Sequence, residues 1–239
     1  MGGGEGDRIS VVIPCLDEGA VIEGLLRSLQ PMRDLGHELI LVDGGSRDGS
    51  AERAGPWVDQ LLKSPPGRAR QMNAGVRAAQ GDIFWFLHAD STLCCDPLES
   101  ILDALTAEER CWGRFDVRLS GNSPLLRLVS LMMNWRSCLS GIATGDQGIF
   151  VRRPAFFSAG GFPDIPLMED MAISRNLKRL ARPCCLRQRL GTSGRRWERD
   201  GVVRTVLHMW RLRLAYAMGA DPSSLARRYR QCSSPAQDS

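Results

Sequence analysis

Ile83-Phe84-Trp85-Phe86-Leu87-His88-Ala89-Asp90 is the stretch that decides the fold. Five consecutive apolar residues read as a strand buried on both faces, the pattern of an inner strand of a parallel sheet. The run stops at an imidazole and a carboxylate two residues apart. Open α/β sheets bind their ligands beyond the carboxyl ends of the strands, and a period of two directs His88 and Asp90 to the same side. A divalent metal or a phosphate-rich ligand is the expected occupant of that edge.

Upstream of this strand the pattern alternates. Residues 9–14 read as a first strand, and Asp17 as the cap of a helix carrying Ile22, Leu25, Leu26 and Leu29. Residues 39–42 form a second strand, stopped by Asp43-Gly44-Gly45-Ser46, and residues 58–62 a third. A helix over about 69–79 ends at Gly81. Such alternation implies βαβ units, an α/β fold and right-handed crossovers. Downstream, helices are expected over 97–106, 124–139 and 171–180, with strands over 114–119 and 147–151. One domain over 8–190, an Arg-rich helical extension over 191–232 and flexible ends over 1–7 and 233–239 complete the expected organisation.

With 239 residues, 43% of them hydrophobic and 24% charged, the composition is that of a globular chain. The formal charge is +4, and arginine is concentrated after residue 175. That bias favours an anionic partner: a nucleoside diphosphate, a lipid surface or a nucleic acid. Nucleic acid is the weakest of the three, since the arginines lack interleaved aromatics and no recognition motif occurs. The start of the chain has no apolar leader segment, and no run approaches the roughly 18 apolar residues of a spanning helix. These features point to a cytoplasmic protein, either free or peripheral at the inner face of the membrane. The eight cysteines show no Cys-x-x-Cys and read as reduced thiols.

Residues 203–218 form an amphipathic helix. Val203, Val206, Leu207, Trp210, Leu214 and Met218 share one face, and Arg204, His208 and Arg211 the other. Two readings stand: a helix packed through its apolar face with a solvated basic side, or a contact with a membrane or another subunit.

Four loops carry the polar chemistry, each between a strand and a helix: Pro14-Cys15-Leu16-Asp17-Glu18, Asp43 to Ser50, Gly67 to Gly75, and His88-Ala89-Asp90. In a parallel sheet they converge on one edge. A carboxylate just past a strand, such as Asp43, suits ribose hydroxyls or a base N–H. Neither Gly-x-Gly-x-x-Gly nor Gly-x-x-x-x-Gly-Lys is present, which disfavours a dinucleotide site and a P-loop.

VVIPCLDEG, LILVDGGSRDGS, GRARQMNAG and FLHAD, in this order, with the later GDQGIFVRRPAFFSAGGFPDIPLMED, resemble the inverting family 2 glycosyltransferases of GT-A fold. The likeness extends over about residues 8–182. It is greatest to a compact bacterial subgroup with His-Ala-Asp in place of Asp-x-Asp. It implies a mainly parallel nucleotide-binding sheet and transfer of a sugar from a UDP-sugar to an unidentified acceptor hydroxyl, be it lipid, saccharide or small metabolite. By the same resemblance Pro14, Glu18, Asp43, Asp48, Arg68 and Asn73 border the nucleotide and donor, and Asp90, with His88, holds Mg2+ or Mn2+. Asp170 of Glu169-Asp170 is then the catalytic base. Asp146, Gln147, Arg195, Arg196 and Trp197 are expected at the diphosphate or the acceptor.

The chemistry suits these residue types. A hard cation and arginines stabilise departing phosphates, and a single base with in-line attack inverts the anomeric carbon, by analogy with inverting glycosidases. A lone imidazole beside Asp90 shifts preference toward softer ions such as Mn2+. Plainer readings stand beside these: His88 as a buried histidine on a carbonyl, Glu169-Asp170 as acids at a helix N-terminus, and Arg195-Arg196-Trp197 as a basic loop. Two other functions stand as alternatives: a nucleotidyltransferase of related fold, and a nucleotide-sugar-binding module without turnover.

Overall fold

A computed structural model describes residues 7–107 and 109–231. Apart from Asp7, the ends expected to be flexible fall outside the described residues.

The apolar runs do become the inner strands. β1 (Ile9–Cys15), β2 (Glu38–Asp43) and β4 (Ile83–Phe86) are buried along their whole length, and β3 (Gln60–Lys63) closes one edge. These four are parallel in the order β3-β2-β1-β4, with Val11 opposite both Leu39 and Trp85. Alternation then sorts the side chains. Val11, Ile13, Leu39, Leu41, Ile83 and Trp85 face one core, against α1 (Ile22–Ser28), α2 (Gln30–Asp34) and α5 (Leu98–Ala104). Val12, Ile40, Val42, Phe84 and Phe86 face the other, against α4 (Arg68–Ala78), α7 (Arg153–Ser158) and α8 (Glu169–Leu180). The short α3 (Ser50–Ala54) follows β2.

Beyond β4 the sheet changes sense. β7 (Phe150–Arg152) is antiparallel to β4 and to β6 (Trp112–Ser120). β6 then pairs in parallel with β8 (Cys184–Ser193), and the two-residue β5 (Thr92–Leu93) ends the sheet against β8. β8 has no counterpart in the sequence reading, because Arg187 and Arg189 interrupt its apolar pattern. The boundary expected at 190 therefore falls inside a strand that still pairs with β6 through Ser193.

Three sequence expectations are corrected here. Asp17 is not a helix cap: its backbone is left-handed (φ 55°), and its carboxylate accepts from the Arg47 N–H at 2.8 Å. The helix begins five residues later, and its first turn has no side-chain cap. The strand expected from residue 147 begins at Phe150, because Gly145–Gln147 forms a 3-10 turn closed by a capping box with Thr144. His88 and Asp90 share a side through a turn in which the Ser91 N–H donates to the His88 carbonyl, since the strand has already ended at Phe86.

The C-terminal half adds a helical layer. α6 (Pro124–Ser140) is fastened to β6 by Asn134, which donates to the Val117 carbonyl and accepts from the Val117 N–H, and by Ser130, which accepts from the Leu119 N–H. After β8 come α9 (Arg195–Asp200), α10 (Val202–Ala217) and α11 (Pro222–Gln231). Leu212 and Leu225 pack with Met168 and Met171, which brings α10 and α11 over the start of α8. On α10 most of the apolar face is outward, against the packed reading: Val203, Leu207, Trp210 and Leu214 are exposed, as is Met218 just past the helix, and only Val206 packs inward. Of the polar face, Arg204 and Arg211 are also exposed, and Arg204 and His208 line the cavity beneath the helix.

Candidate functional site

The four parallel strands deliver their loops to one edge, as their alternation requires. There the loops are knotted together. Asp48 accepts from the N–H groups of Gly19 (2.7 Å) and Ser50 (3.0 Å), and the Ser50 hydroxyl accepts from the Glu18 N–H. The bonds from Ser50 and Gly19 hold the Asp48 carboxyl below its usual range. Asp43 binds its own turn, accepting from the Gly45 N–H at 3.1 Å and the Ser46 N–H at 3.0 Å. It lines a recess of about 430 Å³ with Ser46, Lys63 and Ser64.

Next to it lies a pocket of about 320 Å³ walled by Pro14, Glu18, Arg68, His88, Asp90 and Asp146. Gln71 also lines it, a residue of the third loop that the sequence reading did not single out. Its buried amide donates to the carbonyls of Cys15 and Val42, tying the ends of β1 and β2 together. Burial pushes the Cys15 thiol up to about 11, so it is a neutral wall group. Glu18 is raised first by burial and then by Asp90, with Arg68 opposing. Two carboxyls so placed, with one guanidinium between them and neutrality, form a negative recess that a cation would relieve.

The imidazole of His88 points its Nδ1 at Asp146, 3.3 Å from Oδ1. Its other edge lies flat on Gly145, where an added Cβ would come within 2.4 Å of Nε2. The partner of the imidazole is thus a carboxylate, where the plainer reading had a carbonyl. Burial would raise Asp146, but the hydrogen bond and charge of His88, with Arg68 and Arg213, outweigh it and leave it lowered. Among the described residues, no three His, Cys, Asp or Glu side chains are clustered to hold a cation by themselves.

Asp90, Asp146 and Arg68 also line a second cavity of about 600 Å³, closed by the C-terminal layer: Ser193, Arg195, Trp197, Arg199, Arg204, Arg213 and Tyr229. Arg195 donates to the Ser193 hydroxyl at 3.1 Å, and Trp197 packs with Val117, Leu119 and Met133. The side chain of Arg196 lies outside the described residues. Arg204 and Arg213 were missed as wall residues because the periodicity of α10 gave no means of telling its inner face from its outer one.

Asp170 sits in the first turn of α8, behind Met168, whose left-handed backbone (φ 71°) turns the chain into the helix. Its Oδ2 accepts from the Gly145 N–H at 2.9 Å, and its Oδ1 from the Met171 N–H at 2.7 Å. The neighbouring Glu169 is buried; burial and then Asp170 raise its carboxyl against the pull of Arg68.

Two expected site residues are placed elsewhere. Asn73 accepts from the Phe162 N–H and donates to the Phe162 carbonyl, so its amide is spent on the Gly160-Gly161-Phe162 turn. Asn73→Ala should therefore act on stability, at about 1–3 kcal/mol, because two backbone groups lose their partner. Denaturant unfolding reads this as a lower midpoint with an unchanged slope. Gln147 is fully buried and donates to the Ser137 hydroxyl at 2.9 Å while accepting from the Thr144 N–H. It holds the turn that presents Asp146 and has no path to a ligand.

A family model described as glycosyl transferase family 2 matches residues 10–155. Glucosyl-3-phosphoglycerate synthase of Mycobacterium tuberculosis is 38% identical over 95 residues, 36% of this chain and 29% of that protein. An uncharacterized glycosyltransferase of the same organism is 30% identical over 134 residues, 55% of this chain and 60% of that protein. The chain thus aligns with less than two thirds of the length of these relatives. Among solved structures, a mannosyltransferase from Pyrobaculum calidifontis in complex with GDP-Man and Mn2+ superposes with a TM-score of 0.62 at 19% identity, covering 89% of this chain and 62% of the other. The UDP complex of the mycobacterial synthase gives 0.57 at 25%, covering 78% and 71%.

Proposed function

The chain belongs to glycosyl transferase family 2, and from that premise we propose that it moves a sugar from a UDP-sugar to an acceptor hydroxyl with inversion at the anomeric carbon. One observation carries this reading: Arg68, Asp90 and Asp146 stand between the strand-edge pocket and the arginine-walled cavity, and Asp170 is bound to the backbone of the residue next to Asp146. A donor lying along the edge would have its nucleoside near Asp43, Pro14 and Glu18, and its diphosphate near Arg68 and Asp90.

Asp90, with the donor's own phosphates, would hold Mg2+ or Mn2+; a cation bound mainly through substrate phosphates needs only one or two protein carboxylates. When bound, that ion supplies charge neutralisation at the leaving diphosphate. Arg68 and Arg195 add charge-assisted bonds to the phosphates. His88 acts by steering Asp146. Asp170 takes the proton of the acceptor hydroxyl as it attacks from the face opposite the leaving group.

The test is a thermal shift with UDP-sugars and GDP-mannose, each with and without Mn2+. A UDP-sugar at about 100 times its Kd stabilises by roughly 2.7 kcal/mol, which for a chain of this size raises Tm by about 5–10 °C. Slow release of UDP from the bound donor separates an enzyme from a binding module. A larger shift with GDP-mannose would overturn the uridine assignment; no shift with any nucleotide would overturn the reading.

A further inference from the structure

α6 and α10 pack side by side, and both turn apolar side chains to the solvent. On α6, Leu131, Trp135 and Leu139 are 64%, 69% and 64% exposed; on α10, Val203, Trp210 and Leu214 are 61%, 52% and 61% exposed. The inner face of α6 is already committed to β6 through Asn134 and Ser130. The outer faces therefore form one continuous apolar surface, larger than scattered exposed residues would explain.

The charges on these helices select the occupant. Arg127, Arg204 and Arg211 are exposed on these helices, Arg136 and Arg213 line the groove between them, and neither helix contains an aspartate or glutamate. A second copy laid on this face would set arginine against arginine. A sheet of anionic lipid headgroups would neutralise them, and two exposed tryptophans suit the boundary between headgroups and acyl chains. No described helix is long and apolar enough to cross a membrane, so the contact is from one side.

A groove of about 240 Å³ opens between the two helices, its walls mostly apolar. Arg136 lines it, and its buried Nε and Nη2 have no hydrogen-bond partner. A buried cationic donor left unpaired is costly, and an anion entering the groove would satisfy it. Burial and the nearby Arg213 press its pKa down to about 10, the direction a bound phosphate would reverse. Met133, Trp197, Met209 and Arg213 line both this groove and the arginine-walled cavity.

We propose that the α6–α10 face seats on an anionic bilayer and that the groove takes up a lipid phosphate at Arg136. Such a contact was one of the two readings of residues 203–218; α6 supplies the other half of the surface and the phosphate-binding arginine. The proposal does not rest on the transfer reading, and UDP-induced stabilisation, measured separately, reports on that reading only.

The experiment is co-sedimentation of the full chain with vesicles of phosphatidylglycerol and phosphatidylcholine in equal parts, and of phosphatidylcholine alone. Binding is expected to the first and to be at least about tenfold weaker to the second. The exposed pair Trp135→Glu and Trp210→Glu should lower binding to the mixed vesicles by at least about tenfold, with Tm and circular dichroism unchanged. Arg136→Gln should reduce the preference for phosphatidylglycerol and leave the weak binding to phosphatidylcholine. Failure to bind either vesicle, or equal binding to both, overturns the proposal. So does a dimer in sedimentation velocity that the tryptophan pair abolishes, which would assign the face to a second copy.

Discussion

Asp170→Asn is expected to lower the transfer rate by about 10²–10⁴-fold, the usual contribution of a positioned general base, with UDP affinity changed by less than about twofold. The substitution is close to isosteric. The Asp170 carboxylate is held by the N–H groups of Gly145 and Met171, and an asparagine carbonyl can still accept one of those bonds. The geometry of the turn is kept; what is lost is the ability to take a proton. Glu169 is a poor substitute: its side chain is buried, and burial works against the charged form that a base needs, with or without Asp170 beside it. Glu169→Gln should accordingly cost less than Asp170→Asn. Turnover with a UDP-sugar and titration calorimetry with UDP check both halves. Full turnover by the asparagine variant would remove Asp170 from the mechanism.

Asp90→Ala should abolish the Mn2+-dependent part of UDP binding, a loss of about 10–100-fold in affinity, while binding without metal changes little. The same substitution has an opposite effect on the empty protein. Glu18 is raised by burial and then by Asp90, so its folded-state pKa lies above its unfolded value. A carboxyl of this kind favours folding at low pH, and that contribution is lost as pH rises through the folded pKa. Removing Asp90 relieves part of the penalty. The ligand-free variant should melt higher than the parent at neutral pH, and the gap should close as the pH falls toward the ordinary carboxylate range. Melting curves over pH, recorded without nucleotide, test this. A variant that melts lower at neutral pH would show that Asp90 is there for stability.

The parallel half of the fold was legible because its strands are buried on both faces. Ile83 to Leu87 reads as an inner strand, and β4 takes all of it but Leu87; the loop positions of Glu18, Asp43, Arg68 and Asp90 follow from strand direction. The antiparallel half was less legible for a physical reason. β8 is open to solvent at its middle, so the exposed Arg187 and Arg189 stand among its apolar residues and the pattern breaks. Asn73 and Gln147 looked like ligand contacts because an amide near a loop has no local signature telling a ligand from a backbone group; their partners, Phe162 and Ser137, are fixed by tertiary packing. α10 showed its two faces plainly but not which of them would be inward. That choice depends on an arginine-walled cavity assembled from α4, β8, α9 and α11, which no single window of sequence contains.

Gly145 has a consequence that concerns tolerance. Its Cα is the surface on which the His88 ring rests, and its N–H is the anchor of Asp170. The pocket's lateral boundary and the proposed proton acceptor are thus gauged from one peptide unit, as two faces of a machined part are measured from one datum. Errors in the lengths of the intervening loops do not accumulate between them. A drift of this peptide carries both groups together and preserves their spacing, so alignment at this site is a property of one residue and not of the loops around it.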